Sequence, residues 1–272
     1  MRFSWPSPRH LFLAPLALIM AAPLIWMAIT SIETPDQARQ FPPVLIPHGI
    51  DWHNYTRAVD SAPFGAWYLN SIVVSLVVVL SNLVLCSLAA YAFARIRFFG
   101  ANVLFIALLA TLMVPFQVIL IPTFLIVRHL GLIDNVSALI VPNLVNAFGI
   151  FMLRQFFRTL PIELEEAARI DGCSRLGVLI KIVLPLSVPA LSTLALIMLL
   201  WTWNDFLWPL VAINTEKHMT LQVGLSTFQG QHQTQWTVLM AGNVLALLPL
   251  VIAFLLTQRS FVRSIAASGV KG

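Results

Sequence analysis

The chain has 272 residues, of which 59% are hydrophobic and only 10% charged, with a mean hydropathy of +0.87. Soluble domains carry about 45–50% apolar and 25% charged residues, so this composition excludes an ordinary soluble fold. A pI near 9.8 and net charge of +5 are better explained by cationic loops on one membrane face than by nucleic-acid binding.

Runs of about 20 apolar residues recur, each long enough to cross a bilayer core of about 30 Å as a helix. Period-two alternation of a membrane barrel is absent, so the expected fold class is all-α and polytopic. Six spans are predicted: 11–32, 67–92, 102–127, 136–157, 188–213 and 237–257. The first follows Arg2 and Arg9. It is longer than a signal-peptide core of about 7–15 residues and lacks a small-x-small cleavage site, so it reads as an uncleaved anchor.

The segment from Glu33 to Ala66 holds Pro35, Pro42, Pro43, Pro47 and Pro63. Its first half therefore excludes a long helix, and nearby Trp52, Tyr55 and Trp67 suit an interfacial belt. It is either a surface connector or a contact for a soluble or membrane partner. In the second span Ser71, Ser75, Asn82 and Ser87 read as packing residues. Pro115 and Gln117 interrupt the third span, and Asn243 the sixth. Asn143 and Asn146, three apart in the fourth, share a helical face. Such groups either bond between helices or line cavities.

The polar stretch at 158–187 carries the most specific pattern: Glu166-Ala167-Ala168, three residues, Gly172, nine residues, then Ile182-Val183-Leu184-Pro185. Pro161 sits in the first turn of a short helix, where its missing N–H is harmless. Glu163, Glu165 and Glu166 follow at the favourable end of the helix dipole. Leu164, Ala167, Ala168 and Asp171 recur at spacings of three and four, predicting one small-residue face. Gly172 is placed to stop the helix with a positive φ, Ser174 to cap the next one, and Pro185 and Pro189 to turn the chain back into the bilayer. Three acids in four residues oppose the reading as a lipid-binding amphipathic helix and favour docking onto another protein. In the fifth span Asp205, beside Asn204, is an acid inside the membrane. Such a charge costs about 2.5–3.5 kcal/mol at a helix centre. It either faces a water-filled path or anchors the helix near the interface.

With the N-terminus inside, Arg2, Arg9, Arg95, Arg97, Arg154, Arg158, Arg169, Arg175, Lys181, Arg259, Arg263 and Lys271 fall on one side. Arg39, Arg57, Arg128 and Lys217 fall on the other, 12 against 4 of the 16 basic residues. The positive-inside rule then places both termini, and the 158–187 loop, in the cytoplasm. Cys86 and Cys173 are too far apart in sequence to suggest a disulfide framework or zinc site. No His pair has metal-ligand spacing, and no nucleotide-binding or hydrolase motif is present. No metal, catalytic or cofactor site is expected.

The loop spacing resembles the signature of membrane subunits of bacterial ABC importers. The six spans, the long first outer loop, the Trp203-Asn204-Asp205-Phe206-Leu207-Trp208 segment and the closing Gly269-Val270-Lys271-Gly272 resemble the MalG-like carbohydrate permeases among them. The resemblance covers nearly the whole chain. It implies a type I importer permease fold, one permease domain over 1–272 with an anchor at 11–32, a core at about 67–257 and a cytoplasmic tail at 258–272. It further implies a non-catalytic subunit of a bacterial inner membrane that forms half of a pathway for a sugar or similar polar solute. The expected partners are a second homologous permease, a dimer of ATP-binding subunits that uses ATP and Mg, an extracytoplasmic solute-binding protein and membrane lipid, with no nucleic acid. Glu163, Glu166, Ala167, Ala168, Asp171, Gly172, Ile182, Leu184 and Pro185 would contact the ATPase. Asn143, Asn146, Gln117, Asn204 and Asp205 would border the path. Glycerol 3-phosphate is the rival solute, disfavoured by the lack of an intramembrane cation. An ion-coupled secondary transporter is a different class, disfavoured because a single buried acid and no obvious repeat are seen.

Overall fold

The computed structural model describes residues 8–230 and 234–269, and side chains within 13–230 and 234–256. The chain is helical: α1 (Pro8–Thr30), α2 (His53–Asp60), α3 (Phe64–Arg95), α4 (Ala101–Thr111), α5 (Phe116–His129), α6 (Ser137–Asn143), α7 (Ala147–Thr159), α8 (Ile162–Ile170), α9 (Arg175–Leu186), α10 (Val188–Trp203), α11 (Leu207–Ala212), α12 (Leu221–Ser226) and α13 (Trp236–Gly269). Among the described residues no strand forms, and Gln229 and Thr234 make an isolated bridge.

Among the described residues, three unbroken helices are long and apolar enough to cross a membrane: Leu13–Thr30, the whole of α3, and Trp236–Leu256. Three further spans are bent pairs: α4 with α5 at 103°, α6 with α7 at 40°, and α9 with α10 at 81°. Counting each bent pair as one span gives six, as predicted, but three are broken, and the pair at the fifth takes in α9 from the predicted 158–187 loop and ends at Trp203 rather than at 213. The third does not run straight through 102–127. Pro115 has extended backbone (φ −61°, ψ 140°), because its ring excludes the N–H and crowds the preceding turn. The fifth stops at Trp203, and Asn204 and Asp205 lie in the break before α11 rather than inside a helix. The sixth continues as helix to Gly269, across most of the predicted tail, with no interruption at Asn243. The last three residues of the Gly269–Gly272 motif lie outside the described part.

Contacts divide the chain into two compact units. One comprises residues 1–65 and 224–248. Here α2, in the second half of the Pro-rich segment, is tied to the end of α1. Buried Asn54 on α2 donates to the carbonyls of Ser31 (3.1 Å) and Glu33 (2.8 Å), and Tyr55 OH meets Ser31 Oγ at 2.8 Å. These bonds satisfy carbonyls left free where α1 ends. Arg57 closes onto Asp51 at 3.2 Å. Within α13, Gly242 is needed for space, because a Cβ there would collide with Leu225 Cδ2.

The other unit comprises residues 66–223 and 249–272. One core joins Cys86, Ala90 and Tyr91 of α3 to Ile150, Leu153 and Phe157 of α7, Ala168 of α8, Val178 and Val183 of α9, and Leu194 and Met198 of α10. A second joins Val74 and Val78 of α3 to Val127, Leu139, Trp208 and Ala212. Gly149 lets α7 approach closely, since a Cβ would sit 3.0 Å from Cys86 Sγ and 3.2 Å from Leu194 Cδ1. Ser71, Ser75, Asn82 and Ser87 are all buried, as expected of packing residues. Asp134 clasps two connections: its carboxylate accepts from the N–H of Asn214 (2.9 Å), the N–H of Thr215 (2.7 Å) and the Thr215 hydroxyl.

Candidate coupling loop and polar cavity

The loop helix α8 begins at Ile162 with Pro161 as its N-cap, one position earlier than the first-turn placement predicted. Its end is a Schellman motif. The N–H of Gly172 bonds Arg169 O (3.1 Å) and that of Cys173 bonds Ala168 O (2.9 Å), and Gly172 has φ +86°. This pattern satisfies two orphan carbonyls and requires a left-handed residue, which glycine supplies without a Cβ penalty. Ser174 then caps α9, its Oγ accepting from Gly177 N at 3.1 Å.

The predicted small-residue face does not form as one surface. Ala168 is buried, while Leu164, Ala167 and Asp171 are exposed. The inward pair is Glu165 and Ala168, three apart on one helical stripe, because the buried face of α8 is set by what lies beneath it. Outward stand Glu163, Glu166, Ala167, Asp171 and Gly172, together with Ile170, an aliphatic side chain 86% exposed. Ile182 and Leu184 are half-buried against the first core, and Pro185 is exposed. Pro185 has no N–H to continue the i→i−4 ladder, and residues Leu179–Val183 widen into a π turn in which Leu184 N–H reaches Leu179 O. The chain then breaks at Ser187, whose Oγ bonds Val183 O at 2.6 Å.

Beneath α8 is an ion pair that sequence reasoning missed. Arg95 Nε donates to Glu165 Oε1 at 2.6 Å, with side chains only 12% and 8% exposed. Arg95 Nη2 donates to the carbonyls of Phe157 and Leu160, both at 2.7 Å, and Tyr91 OH donates to Glu165 Oε2 at 3.2 Å. The available signal was helical phase: Glu165 is the acid that shares a stripe with Ala168, whereas Glu163 and Glu166 do not.

In the same unit, a cavity of about 450 Å³ is lined by Asn143, Asn146, Asp205, Thr123, Thr202, Phe116, Trp201 and Trp208, among others. It gathers three of the five predicted pathway residues. Gln117 and Asn204 are not among its lining; Asn204 is exposed and its Nδ2 bonds Leu200 O at 2.8 Å. Asn143 and Asn146 meet at the cavity through a break and not as one regular helical face. Asn146 has extended backbone and caps α7 by accepting from Phe148 N at 2.8 Å. The break leaves Asn143 O to α3, where Asn82 Nδ2 donates to it at 2.8 Å, while Asn146 O accepts the Ile150 N–H (3.1 Å) and a further bond from Cys86 Sγ (3.4 Å). Asp205 Oδ1 accepts one long bond, 3.5 Å, from Trp208 N, and the Trp208 indole donates to Ala138 O at 3.0 Å. Among the described residues the lining holds one carboxylate and no Lys or Arg, and no group of three or more His, Cys, Asp or Glu is placed to hold a metal ion.

Residues 82–267 match the family model of the binding-protein-dependent transport system inner membrane component, and the chain belongs to that family. It is 38% identical over 213 residues to the arabinooligosaccharides transport system permease protein AraQ of Halalkalibacterium halodurans, covering 78% of this chain and 76% of that one. It is 34% identical over 267 residues to the sn-glycerol-3-phosphate transport system permease protein UgpE of Yersinia pestis, covering 95% of each. Among solved structures, a chain of a bacterial ABC transporter involved in import of the acidic polysaccharide alginate superposes with a TM-score of 0.82. It is 28% identical and covers 96% of this chain and 100% of that one. The fold is that of a type I ABC importer permease with six transmembrane segments, and the chain is a multi-pass permease subunit of an ABC importer.

Proposed function

We propose that this subunit forms half of the membrane pathway for a sugar or similar polar solute and takes its driving force from a separate ATPase through α8. The chain itself carries no catalytic role in this reading; ATP and Mg are used by a dimer of ATP-binding subunits. A second permease completes the path, and an extracytoplasmic solute-binding protein delivers the solute. The bundle sits in a bacterial inner membrane with both termini and α8 on the cytoplasmic side, in keeping with the 12-to-4 distribution of basic residues.

The observation that carries the coupling reading is the two-sidedness of α8. Its inner stripe is held by Glu165 and Ala168, while Glu163, Glu166 and Ile170 stand outward. An exposed aliphatic between Arg169 and Asp171, with Glu163 and Glu166 on the turns before it, suits a protein groove with charged rims, and the acids are repelled by anionic headgroups. Replacing Glu166 with Lys is expected to reduce co-purification of the ATPase while the subunit still inserts. Retention of the ATPase at wild-type yield would count against the contact.

The cavity supports a neutral, hydroxyl-rich solute. Trp201 and Phe116 offer flat apolar faces, and Asn143, Asn146 and Asp205 offer hydrogen-bonding groups. A phosphoester would meet the Asp205 carboxylate without a compensating cation. The similarity to a glycerol-3-phosphate permease keeps that solute as the rival. Uptake of a labelled neutral oligosaccharide against sn-glycerol 3-phosphate, by the assembled complex with its own binding protein, separates the two.

A further inference from the structure

Arg95 touches three elements at once. It lies at the last residue of α3, it bonds two carbonyls at the C-terminal end of α7, and it pairs with Glu165 of α8. The carbonyls of Phe157 and Leu160 lie at the end of a helix, where the regular ladder stops and Phe157 O takes only a tightened last-turn bond from Leu160 N–H at 3.2 Å. A guanidinium suits this place because its planar fork fixes several donors relative to one another, which a lysine ammonium does not. Tyr91, one turn before Arg95 on α3, fixes the other carboxylate oxygen. The carboxylate is therefore held from α3 at both of its oxygens.

The covalent path out of α8 is less regular. It passes the Gly172 turn, the π turn at Leu179–Val183 and the break at Ser187, with an 81° bend between α9 and α10. A displacement of α8 reaching the bundle only by that path would enter α10 and leave α3 and α7 to follow through apolar contacts. Burying an ion pair brings a desolvation cost that an apolar contact would avoid, and its best-supported benefit is fixed geometry. We propose that Arg95 and Glu165 form a strut that stays closed through the transport cycle and carries movement of α8 directly into the ends of α3 and α7. Both are positioning residues. Neither belongs to the outward docking face. The inference rests on the reading that α8 contacts the ATPase.

The test uses the assembled complex in proteoliposomes with its ATPase and binding protein, and compares Glu165→Gln with Glu166→Lys. Glu165→Gln keeps the side-chain shape and removes the charge that grips Arg95. ATPase attachment and basal hydrolysis are expected to stay near wild type, while stimulation of hydrolysis by loaded binding protein falls about tenfold, within the usual range for a coupling free energy between sites. Wild-type stimulation in Glu165→Gln would overturn the strut. Loss of the ATPase from that variant would also overturn it, by assigning Glu165 to the docking surface. Failure of the variant to accumulate in the membrane would overturn it as a folding contact only. If Glu166→Lys keeps its ATPase while Glu165→Gln loses stimulation, the docking reading fails at Glu166 and the strut stands.

Discussion

The loop around α8 and the polar cavity belong to the same unit but are built in opposite ways. The turns that end α8 and start α9 are made of contacts between near neighbours in sequence, Gly172 to Arg169, Cys173 to Ala168 and Gly177 to Ser174, and only the inner stripe of α8 reaches far, through Glu165 to Arg95. The cavity is made where three chain breaks come together, at Pro115, at Leu144–Asn146 and at Asn204–Phe206. Its break is tied to α3, across 61 residues from Asn82 to Asn143 O and 60 from Cys86 to Asn146 O. A short-range site stands or falls with a single backbone conformation. A long-range site stands on packing, so single changes at its wall are expected to act on solute handling before they act on shape.

The sharpest way to break this contrast is at Gly172. A Cβ added there would meet no atom within 4 Å, so the cost of Gly172→Val is the left-handed backbone itself, about 1–3 kcal/mol. We expect transport to fall by about tenfold or more, a coupling-scale loss, with the subunit still inserted. Normal uptake by a well-expressed variant would remove the turn from the mechanism.

At the cavity, Asp205→Asn keeps shape and hydrogen-bonding capacity and removes the charge. If the carboxylate serves the solute, uptake is expected to drop several-fold while assembly and basal ATP hydrolysis hold. Asn204→Ala is expected to be nearly silent, because Asn204 bonds its own helix end and does not line the cavity. Wild-type uptake in both variants would return the segment to a helix-anchoring role, and a loss in Asn204→Ala equal to that in Asp205→Asn would place Asn204 on the path as well.

Asn146 tests whether wall and scaffold separate at all, since it both lines the cavity and caps α7. Loss of an N-cap costs about 1 kcal/mol, so Asn146→Ala is expected to lower the thermal midpoint of the purified subunit modestly. Asn146→Asp, which preserves the cap acceptor, is expected to restore it. No restoration would place the effect in the cavity.

The smallest effect is expected at Asp134. Hydrogen bonds from the Thr215 hydroxyl, then from the Thr215 and Asn214 N–H groups, hold its carboxyl down to about 2 from the ordinary 3.8. A depressed carboxyl contributes stability above its ordinary value and loses it as pH falls through about 2. Stability is therefore expected to be flat from neutral pH to about 4 as far as this group is concerned. Asp134→Asn is expected to shift the thermal midpoint slightly at neutral pH and to reduce the acid sensitivity below that range.

Much of α8 was readable from sequence because turns and caps depend on residues within one helical turn: a glycine for a positive φ, a serine for an exposed N–H, prolines where the ladder must break. The six apolar spans were readable because the bilayer imposes a length on any helix that crosses it. The sequence also marked Asn143, Asn146 and Asp205 as polar groups needing partners in an apolar setting. It did not reveal which face of α8 turns inward, because Ala167 and Ala168 are alike in chemistry and only the surface beneath decides between them. Nor did it pair Arg95 with Glu165, 70 residues apart. Gln117 and Asn204 fell outside the cavity for the same reason: where a helix breaks, its regular phase is lost, and the direction of the next side chain is set by the tertiary packing that holds the break.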